Sequence, residues 1–283
     1  MKLGTFVRPN MDDPDAAFAT LEEMGFTCCQ LAYKPEVFRK EDAEKIRAAA
    51  DRHGIEISAY FIGFRDGYGP GQRDQRLRFG PVMAGLTSAT FGAQRLEYLM
   101  QGCEFLNWLG ITDLIIHAGY IPFDCFEPAY LQLLSFVRVL GKRCKDLGLN
   151  LLFETGAEAP LPIMRLIHES GLDNLYLNLD TGNGILYGTH NPVDALYSAG
   201  HLVRNLHMKD ALPPTDCYEL GRETAFGDGI VDFDRVVKRL AELGYDRYMV
   251  IEREVGSSEQ QKQDILKAKQ YLEDLLKKYY QNA

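Results

Sequence analysis

Four short apolar segments in the second half of the chain each end at a carboxylate or an imidazole. Turn residues follow them, which is the pattern of a buried strand in a parallel sheet. The segments are residues 150–153 before Glu154, 175–179 before Asp180, 202–206 before His207 and 248–251 before Glu252. Because the ends of barrel strands share one face, these four side chains are expected to converge on one site.

The remaining sequence alternates in the same way between apolar strands and amphipathic helices. Eight strand–helix units without a change of composition predict an α/β fold of the (β/α)8 TIM barrel type, as one domain over residues 1–283. A doubly wound open sheet is the alternative, but Val7-Arg8-Pro9-Asn10 after the first strand lacks its glycine-rich phosphate motif. The predicted strands are 2–8, 28–33, 57–64, 113–117 and the four above, and the predicted helices are 14–24, 41–53, 94–109, 130–147, 161–170, 192–198, 233–243 and about 260–280.

Composition restricts the class of function. A net charge of −9 argues against nucleic-acid binding, which needs a basic surface, and no apolar run has the length of a membrane span. The six cysteines are scattered without a C-x-x-C pair, which is typical of reduced thiols in a cytoplasmic protein. A strand predicted directly at the N-terminus leaves no room for a signal peptide, so a cytoplasmic location is expected.

Two glutamates, one aspartate and one histidine form an oxygen-rich set with one nitrogen. Such a set suits one divalent metal ion; Mn²⁺ is the expected ion, and Mg²⁺, Co²⁺ and Zn²⁺ are alternatives. A metal that grips two adjacent oxygens of a hydroxyketone acidifies the carbon between them, and two opposed carboxylates then remove and return its proton. Glu154 and Glu252 are the predicted catalytic pair, and Asp180 and His207 complete the metal ligands. Each acid taken alone is also typical of a helix N-cap or a surface charge.

Further polar residues near the strand ends are candidates for substrate binding. For each, a structural role is the alternative: a hydrogen-bonded core histidine, a solvated loop acid, an ion-paired lysine or an exposed arginine. The first long loop, residues 65–91, is basic and is a candidate clamp for an anion through Arg65, Arg73, Arg76 and Arg78. The substrate-binding candidates from this argument are His117, Glu158, Lys209 and Arg222.

The motifs in this region resemble those of the xylose-isomerase-like superfamily of sugar and sugar-phosphate isomerases and epimerases. The resemblance implies that the Glu, Asp, His and Glu named above bind one divalent metal and that the two glutamates exchange the proton. It spans residues 116–252 and is carried by Ile116-His117-Ala118-Gly119, Phe153-Glu154-Thr155, Leu179-Asp180-Thr181-Gly182-Asn183, His207-Met208-Lys209-Asp210, Gly227-Asp228-Gly229 with Asp232-Phe233, and Ile251-Glu252.

One position departs from the pattern of the free-sugar 3-epimerases. Those enzymes often have a histidine three residues after the metal-binding aspartate, where this chain has Asn183. The Asp-Thr-Gly-Asn form resembles the pentulose-phosphate 3-epimerases more, and Asn183 joins the substrate-binding candidates. With six histidines in all, the sequence is unlike the histidine-rich apurinic endonucleases of the same superfamily.

The hypothesis is therefore a metal-dependent isomerase or epimerase of a ketose or ketose phosphate, with inversion at C3 as the expected reaction. An enzyme similar to inosose dehydratase or hydroxypyruvate isomerase, on the same metal site, is the alternative within enzymes. A non-catalytic sugar-binding barrel is the alternative from another class. The expected partner is a small sugar or sugar phosphate, and a homodimer or homotetramer stays open.

Overall fold

The structure is a computed structural model that describes residues 1–64, 85–217 and 219–280. Within these residues, eight parallel strands close into a barrel, and helices cover its outside. The strands are β1 (Lys2–Val7), β2 (Cys28–Leu31), β3 (Glu56–Phe61), β4 (Asp113–Ile116), β5 (Asn150–Glu154), β6 (Leu175–Asp180), β7 (Val203–Met208), β8 (Asp210–Leu212), β9 (Arg222–Thr224) and β10 (Tyr248–Ile251). The helices are α1 (Asp15–Glu23), α2 (Lys40–Arg52), α3 (Gly92–Leu109), α4 (Pro128–Asp146), α5 (Pro160–Ser170), α6 (Asn183–Leu186), α7 (Pro192–Ala199), α8 (Phe233–Glu242) and α9 (Ser258–Tyr280).

The barrel order is β1-β2-β3-β4-β5-β6-β7-β10, with β10 closing onto β1. The predicted TIM barrel is thus confirmed. Its strands are nearly continuous apolar runs because both of their faces are buried, and all four residues of β4 are buried. Helix α8 shows how the helices dock: its buried residues recur every three to four positions, and Asp232 caps its first turn by accepting the backbone N–H of Arg235.

At the N-terminal end of the barrel, a cluster of charged side chains surrounds the buried Asp113. The Asp113 carboxylate is 1% exposed and accepts hydrogen bonds from Arg204 Nε (2.9 Å to each oxygen), Arg247 Nη2 (3.1 Å) and Asn150 Nδ2 (2.7 Å). Two guanidinium groups therefore share one carboxylate at the end of the barrel opposite the predicted site. Such paired geometry satisfies a charge that is costly to bury alone.

Asp113→Ala is expected to lower the free energy of unfolding by about 3 kcal/mol, because it leaves two guanidinium groups facing each other without a counter-charge. Chemical denaturation monitored by circular dichroism measures the change. Asp173→Ala is the matched control, since Asp173 is 76% exposed in its ion pair with Lys145 and its loss should leave the free energy of unfolding nearly unchanged. Equal effects of the two substitutions would contradict a stabilising role for the cluster.

The second long loop, predicted over residues 211–229, contains regular structure that the sequence did not indicate. Strands β8 and β9 pair antiparallel across it. The buried Asp210 carboxylate fixes the end of this loop. It accepts hydrogen bonds from the backbone N–H groups of Gly227 (2.9 Å), Gly229 (3.0 Å) and Val231 (3.1 Å). A side chain at Gly229 would lie 2.1 Å from Asp210 Oδ1, so the close approach explains this glycine.

Arg65, Arg73, Arg76 and Arg78 of the first long loop lie outside the described residues. None of the described helices combines the length and the apolar character of a membrane span.

Candidate metal centre and active site

The four predicted ligands meet at the C-terminal end of the barrel. One ligand atom from each of Glu154, Asp180, His207 and Glu252 lies within 4.8 Å of the others. From His207 Nδ1, the distances are 2.8 Å to Glu154 Oε1, 3.4 Å to Glu252 Oε2 and 3.9 Å to Asp180 Oδ2. His207 and Asp180 are fully buried, and Glu252 has a side-chain exposure of only 10%. The structure therefore brings together the residues that the sequence placed at four strand ends.

Strand register explains the convergence. Asp180 pairs directly with His207 across β6 and β7, and Ile251 pairs with Met208 across β10 and β7, which places Glu252 one step beyond. Side chains two residues apart on a strand share a face, so an acid at the wrong parity would have pointed into the helix layer. The sequence alternation thus decides which side chains enter the barrel.

The donor set fits a divalent cation. Adjacent ligands of an octahedral ion with bonds of about 2.1 Å lie about 3 Å apart, and the three carboxylate oxygens lie 2.8, 3.4 and 3.9 Å from His207 Nδ1. Asp180 Oδ1 accepts the backbone N–H groups of Gly182 (2.8 Å) and Asn183 (2.7 Å), whereas buried Oδ2 has no hydrogen-bond donor among the described residues. A buried carboxylate oxygen left without a donor indicates a ligand position.

The electrostatics of the site are dominated by burial and by mutual charge. Burial raises the pKa of Asp180 well above its usual value. Burial acts in the same direction on Glu154 and Glu252, but the neighbouring histidines and Lys209 outweigh it, so the pKa of each of these glutamates is lowered. For His207, burial lowers the pKa while the surrounding carboxylates raise it, and the result is about 9. Both glutamates are therefore ionised and able to accept a proton at neutral pH.

Lys209 supplies a fixed positive charge beside the ligands. It is 2% exposed, and its Nζ lies 3.1 Å from Glu252 Oε2, 3.6 Å from Asp180 Oδ2 and 2.9 Å from Glu254 Oε2. Burial lowers its pKa, but the surrounding carboxylates raise it to well above the usual value. Lys209 follows His207 by two residues and thus enters the barrel from the same strand side.

Glu154 and Glu252 line a cavity of about 400 Å³ at the C-terminal end of the barrel, whereas the buried Asp180 and His207 are not among its lining residues. Its size suits a small polar molecule. Phe6 and Phe61 form one wall, and both rings contact His207 edge-on, with centroids 5.0 and 6.2 Å away. The lining residues are Phe6, Arg8, Ala32, Lys34, Phe61, His117, Glu154, Asn183, Tyr187, Lys209, Glu252 and Glu254.

Residues 18–275 match the family described as xylose isomerase-like TIM barrel. The chain belongs to this family. The resemblance inferred from the sequence motifs is thereby confirmed.

Individual proteins extend the comparison. A xylose isomerase domain protein from Planctomyces limnophilus superposes with a TM-score of 0.87 at 28% identity, over 98% of this chain and 97% of that one. An L-ribulose 3-epimerase superposes with a TM-score of 0.72 at 15% identity, over 98% and 97% of the two chains, a level that shows the fold alone.

Two curated relatives bear the same name. The inosose dehydratase of Geobacillus kaustophilus is 23% identical over an alignment of 274 positions, which covers 85% of this chain and 80% of the relative. The inosose dehydratase of Clostridium botulinum is 27% identical over an alignment of 148 positions, which covers 47% of this chain. The chain matches about half of the length of that second relative, 49%.

Of the other predicted substrate-binding residues in this xylose isomerase-like barrel, some lie in the cavity and some do not. His117 lies in the cavity with Nε2 3.2 Å from Glu154 Oε2, and Asn183 lies there with Nδ2 3.4 Å from Glu154 Oε1. Glu158 is 8% exposed and borders Gly156 beside His117, although it does not line the cavity; burial raises its pKa to about 8. Arg222 is exposed on β9 and is absent from the described cavity lining. Their roles in substrate binding stay predictions.

Three buried amides below the site were not predicted from the sequence. Gln30, Asn178 and Asn205 are at most 1% exposed and lie in the barrel interior, next to an apolar group formed by Ala59, Ile115 and Leu152. The signal was present: Asn178 precedes Asp180 by two residues and Asn205 precedes His207 by two. A polar residue at that spacing faces the same interior as the ligand that follows it.

Proposed function

We propose that this chain is a metal-dependent enzyme that transfers a proton at the carbon next to the carbonyl of a ketose or ketose phosphate, with inversion at C3 as the outcome. The observation that carries the proposal is the pair Glu154 and Glu252. They enter one buried site from β5 and β10, with the Asp180 and His207 strands between them. Inversion at a carbon requires one group that removes a proton from one face and a second group that returns a proton to the other face. Two carboxylates at separate positions around one site can fill these two roles.

The roles follow from the geometry. Glu154, Asp180, His207 and Glu252 would hold the cation, for which we propose Mn²⁺, with Mg²⁺, Co²⁺ and Zn²⁺ as alternatives. When bound, a divalent cation supplies positive charge that acidifies a carbon next to a carbonyl. One ionised glutamate would accept that proton, and the other, after taking up a proton from solvent water, would donate it to the opposite face of the carbon.

The surrounding residues orient the substrate and keep water out. Asn183 and Lys209 offer hydrogen bonds to hydroxyl or phosphate oxygens, and His117 is placed to contact an oxygen next to Glu154. The Phe6 and Phe61 rings form an apolar wall that a C–H face of a sugar would cover. The expected partner is therefore a small polyhydroxylated ketone.

Dehydration of an inosose-like polyhydroxy ketone is the second candidate. The curated relatives of that name favour it, and so does the Lys209 ammonium beside Glu252. A glutamate would take the proton next to the carbonyl, the C–O bond of the neighbouring hydroxyl would break, and Lys209 would donate the proton that releases this oxygen as water. A non-catalytic sugar-binding barrel is less well supported, because such a barrel has no need for a complete ligand set.

Deuterium uptake from heavy water tests the shared step. The purified protein is incubated with a panel of ketoses, ketose phosphates and inososes, once with Mn²⁺ and once with a chelator, and products are followed by NMR. We expect uptake at the carbon next to the carbonyl only with Mn²⁺. Uptake with inversion supports the epimerase, and uptake with loss of water supports the dehydratase. Saturable binding of a panel member without uptake would contradict both and support the binding protein.

A further inference from the structure

The three buried amides form a continuous hydrogen-bonded chain that ends on a metal ligand. Asn205 Nδ2 donates to Asn178 Oδ1 (2.6 Å) and to Gln30 Oε1 (3.0 Å). Gln30 Nε2 then lies 2.7 Å from His207 Nε2. Because β2 lies across the barrel from β6 and β7, the chain spans the barrel interior. Three amides withdrawn from water in an apolar interior are costly unless they are paired, and here they pair with one another.

The direction of this chain decides which nitrogen of His207 carries the proton. In the neutral imidazole, with the amide nitrogen of Gln30 facing Nε2, that ring nitrogen accepts, and the proton sits on Nδ1, which contacts Glu154 Oε1 at 2.8 Å. Nδ1 is also the atom that faces the three carboxylates. A cation bound at Nδ1 leaves the proton on Nε2, and only the carbonyl oxygen of Gln30 can accept it.

The hydrogen bonds among the three amides can all reverse their donor and acceptor roles without the loss of a hydrogen bond. Asn178 Nδ2 and Asn205 Oδ1 are buried and have no hydrogen-bond partner among the described residues. Exchanging nitrogen and oxygen in all three amides keeps every contact, because Asn178 and Gln30 then both donate to the same atom of Asn205. The two orphaned atoms exchange identity as well. The interior amides therefore have two equivalent arrangements. Whether His207 Nε2 carries a proton selects between them.

We propose that Gln30, Asn205 and Asn178 are positioning residues that orient His207 for metal binding by reversing this chain. The inference rests on the metal site of the proposed function. It predicts that residues without any contact to the cation control its affinity through the direction of their hydrogen bonds. A single atom of Asn205 serves both neighbours, so the reversal involves all three amides together.

Two substitutions of equal charge test the direction. Asn205→Asp can only accept from Gln30 and Asn178, which turns the Gln30 oxygen toward His207 and sets the arrangement that a cation at Nδ1 requires. Asn178→Asp can only accept from Asn205, which sets the opposite arrangement. Each lies two residues before a metal ligand on its strand, so the added charges are closely matched. Leu152→Met, in the apolar part of the same interior, is the control for packing.

Isothermal titration with Mg²⁺ measures the outcome, and melting curves check that each variant folds. Asn178→Asp should weaken Mg²⁺ binding by at least about tenfold, Asn205→Asp should bind within about threefold of the unsubstituted protein or more tightly, and Gln30→Met should lose about 10- to 100-fold. Leu152→Met should leave the affinity unchanged. Equal changes in the two aspartate variants, or none in either, would overturn the proposal while leaving the metal site intact. Absence of Mg²⁺ and Mn²⁺ binding by the unsubstituted protein would overturn the metal site and the proposal together.

A second measurement needs no substitution. In protein labelled with ¹⁵N-histidine and saturated with Mg²⁺, which is diamagnetic, NMR should show the His207 proton on Nε2 and none on Nδ1. A proton on Nδ1 in that state would overturn the proposal.

Discussion

Glu154→Gln and Glu252→Gln are each expected to lower epimerisation or dehydration by at least about 1,000-fold, because an amide of the same shape cannot accept the proton. Each change also removes one charge from the ligand set, so metal content is measured alongside turnover. The assay uses the substrate that the deuterium experiment identifies. Both side chains are almost fully buried at one site, so their loss should act on chemistry rather than on distant structure.

Glu44→Gln on the exposed face of α2 is the matched control, since Glu44 is 61% exposed and far from the barrel interior. It should leave turnover unchanged. Near-normal turnover in either site variant, with the metal still bound, would show that the corresponding glutamate is not a proton acceptor and would end the two-base mechanism.

Asp180→Asn is expected to weaken divalent metal binding by about 100-fold or more while leaving the fold intact. Asn retains an oxygen for the backbone N–H groups of Gly182 and Asn183, so the turn after β6 is preserved. It replaces the oxygen that has no donor by an NH₂ group, which cannot bind a cation. At an Mg²⁺ concentration 100 times the dissociation constant, the unsubstituted protein should gain about 2.7 kcal/mol of stability. The variant at that concentration should gain about 0.4 kcal/mol or less.

Denaturation with and without Mg²⁺ measures this difference. Asp228→Asn, at an exposed position in the loop after β9, should keep the full gain. An Asp180→Asn variant stabilised by Mg²⁺ as strongly as the unsubstituted protein would remove Asp180 from the ligands.

The barrel and the convergence of its four candidate metal ligands could be predicted, because both follow from local alternation. Parallel strands with two buried faces are apolar along their length, so a charged residue at the end of such a run stands out, as Glu154 and Glu252 do. These residues converge only if the sheet closes into a barrel. The count of eight strand–helix units predicts that closure. The strand bounds differ from the predictions by three residues at most, as for β3, where the predicted 57–64 is Glu56–Phe61.

The partners of Lys209 could not be predicted, because they come from the ends of two other strands, β6 and β10. Its spacing from His207 predicted the side of the strand but not the contacts with Glu252 and Glu254. The β8–β9 hairpin was missed for a different reason. Its strands are three residues long, too short for a periodic signal, and its closing contacts are backbone donors to one carboxylate, Asp210.

The interior amides show how tertiary context changes the meaning of a residue. Gln30 is a polar exception within the apolar strand β2, and its contact with His207 exists only once the barrel brings β2 and β7 together. A polar residue in the middle of a buried strand is therefore a candidate for contact with the site even when it lies far from it in sequence.

The Asp113 cluster has a consequence for how this barrel can change over evolutionary time. The cluster ties Asp113 to Arg204 and Arg247 at one rim, whereas the cavity lining belongs to the opposite rim of the same strands. The residues that stabilise the barrel and the residues that line the cavity therefore lie at opposite ends of the molecule. A library that randomises cavity residues such as Phe61 and Tyr187 should consequently yield mostly folded members, which makes this scaffold a suitable starting point for redirecting specificity.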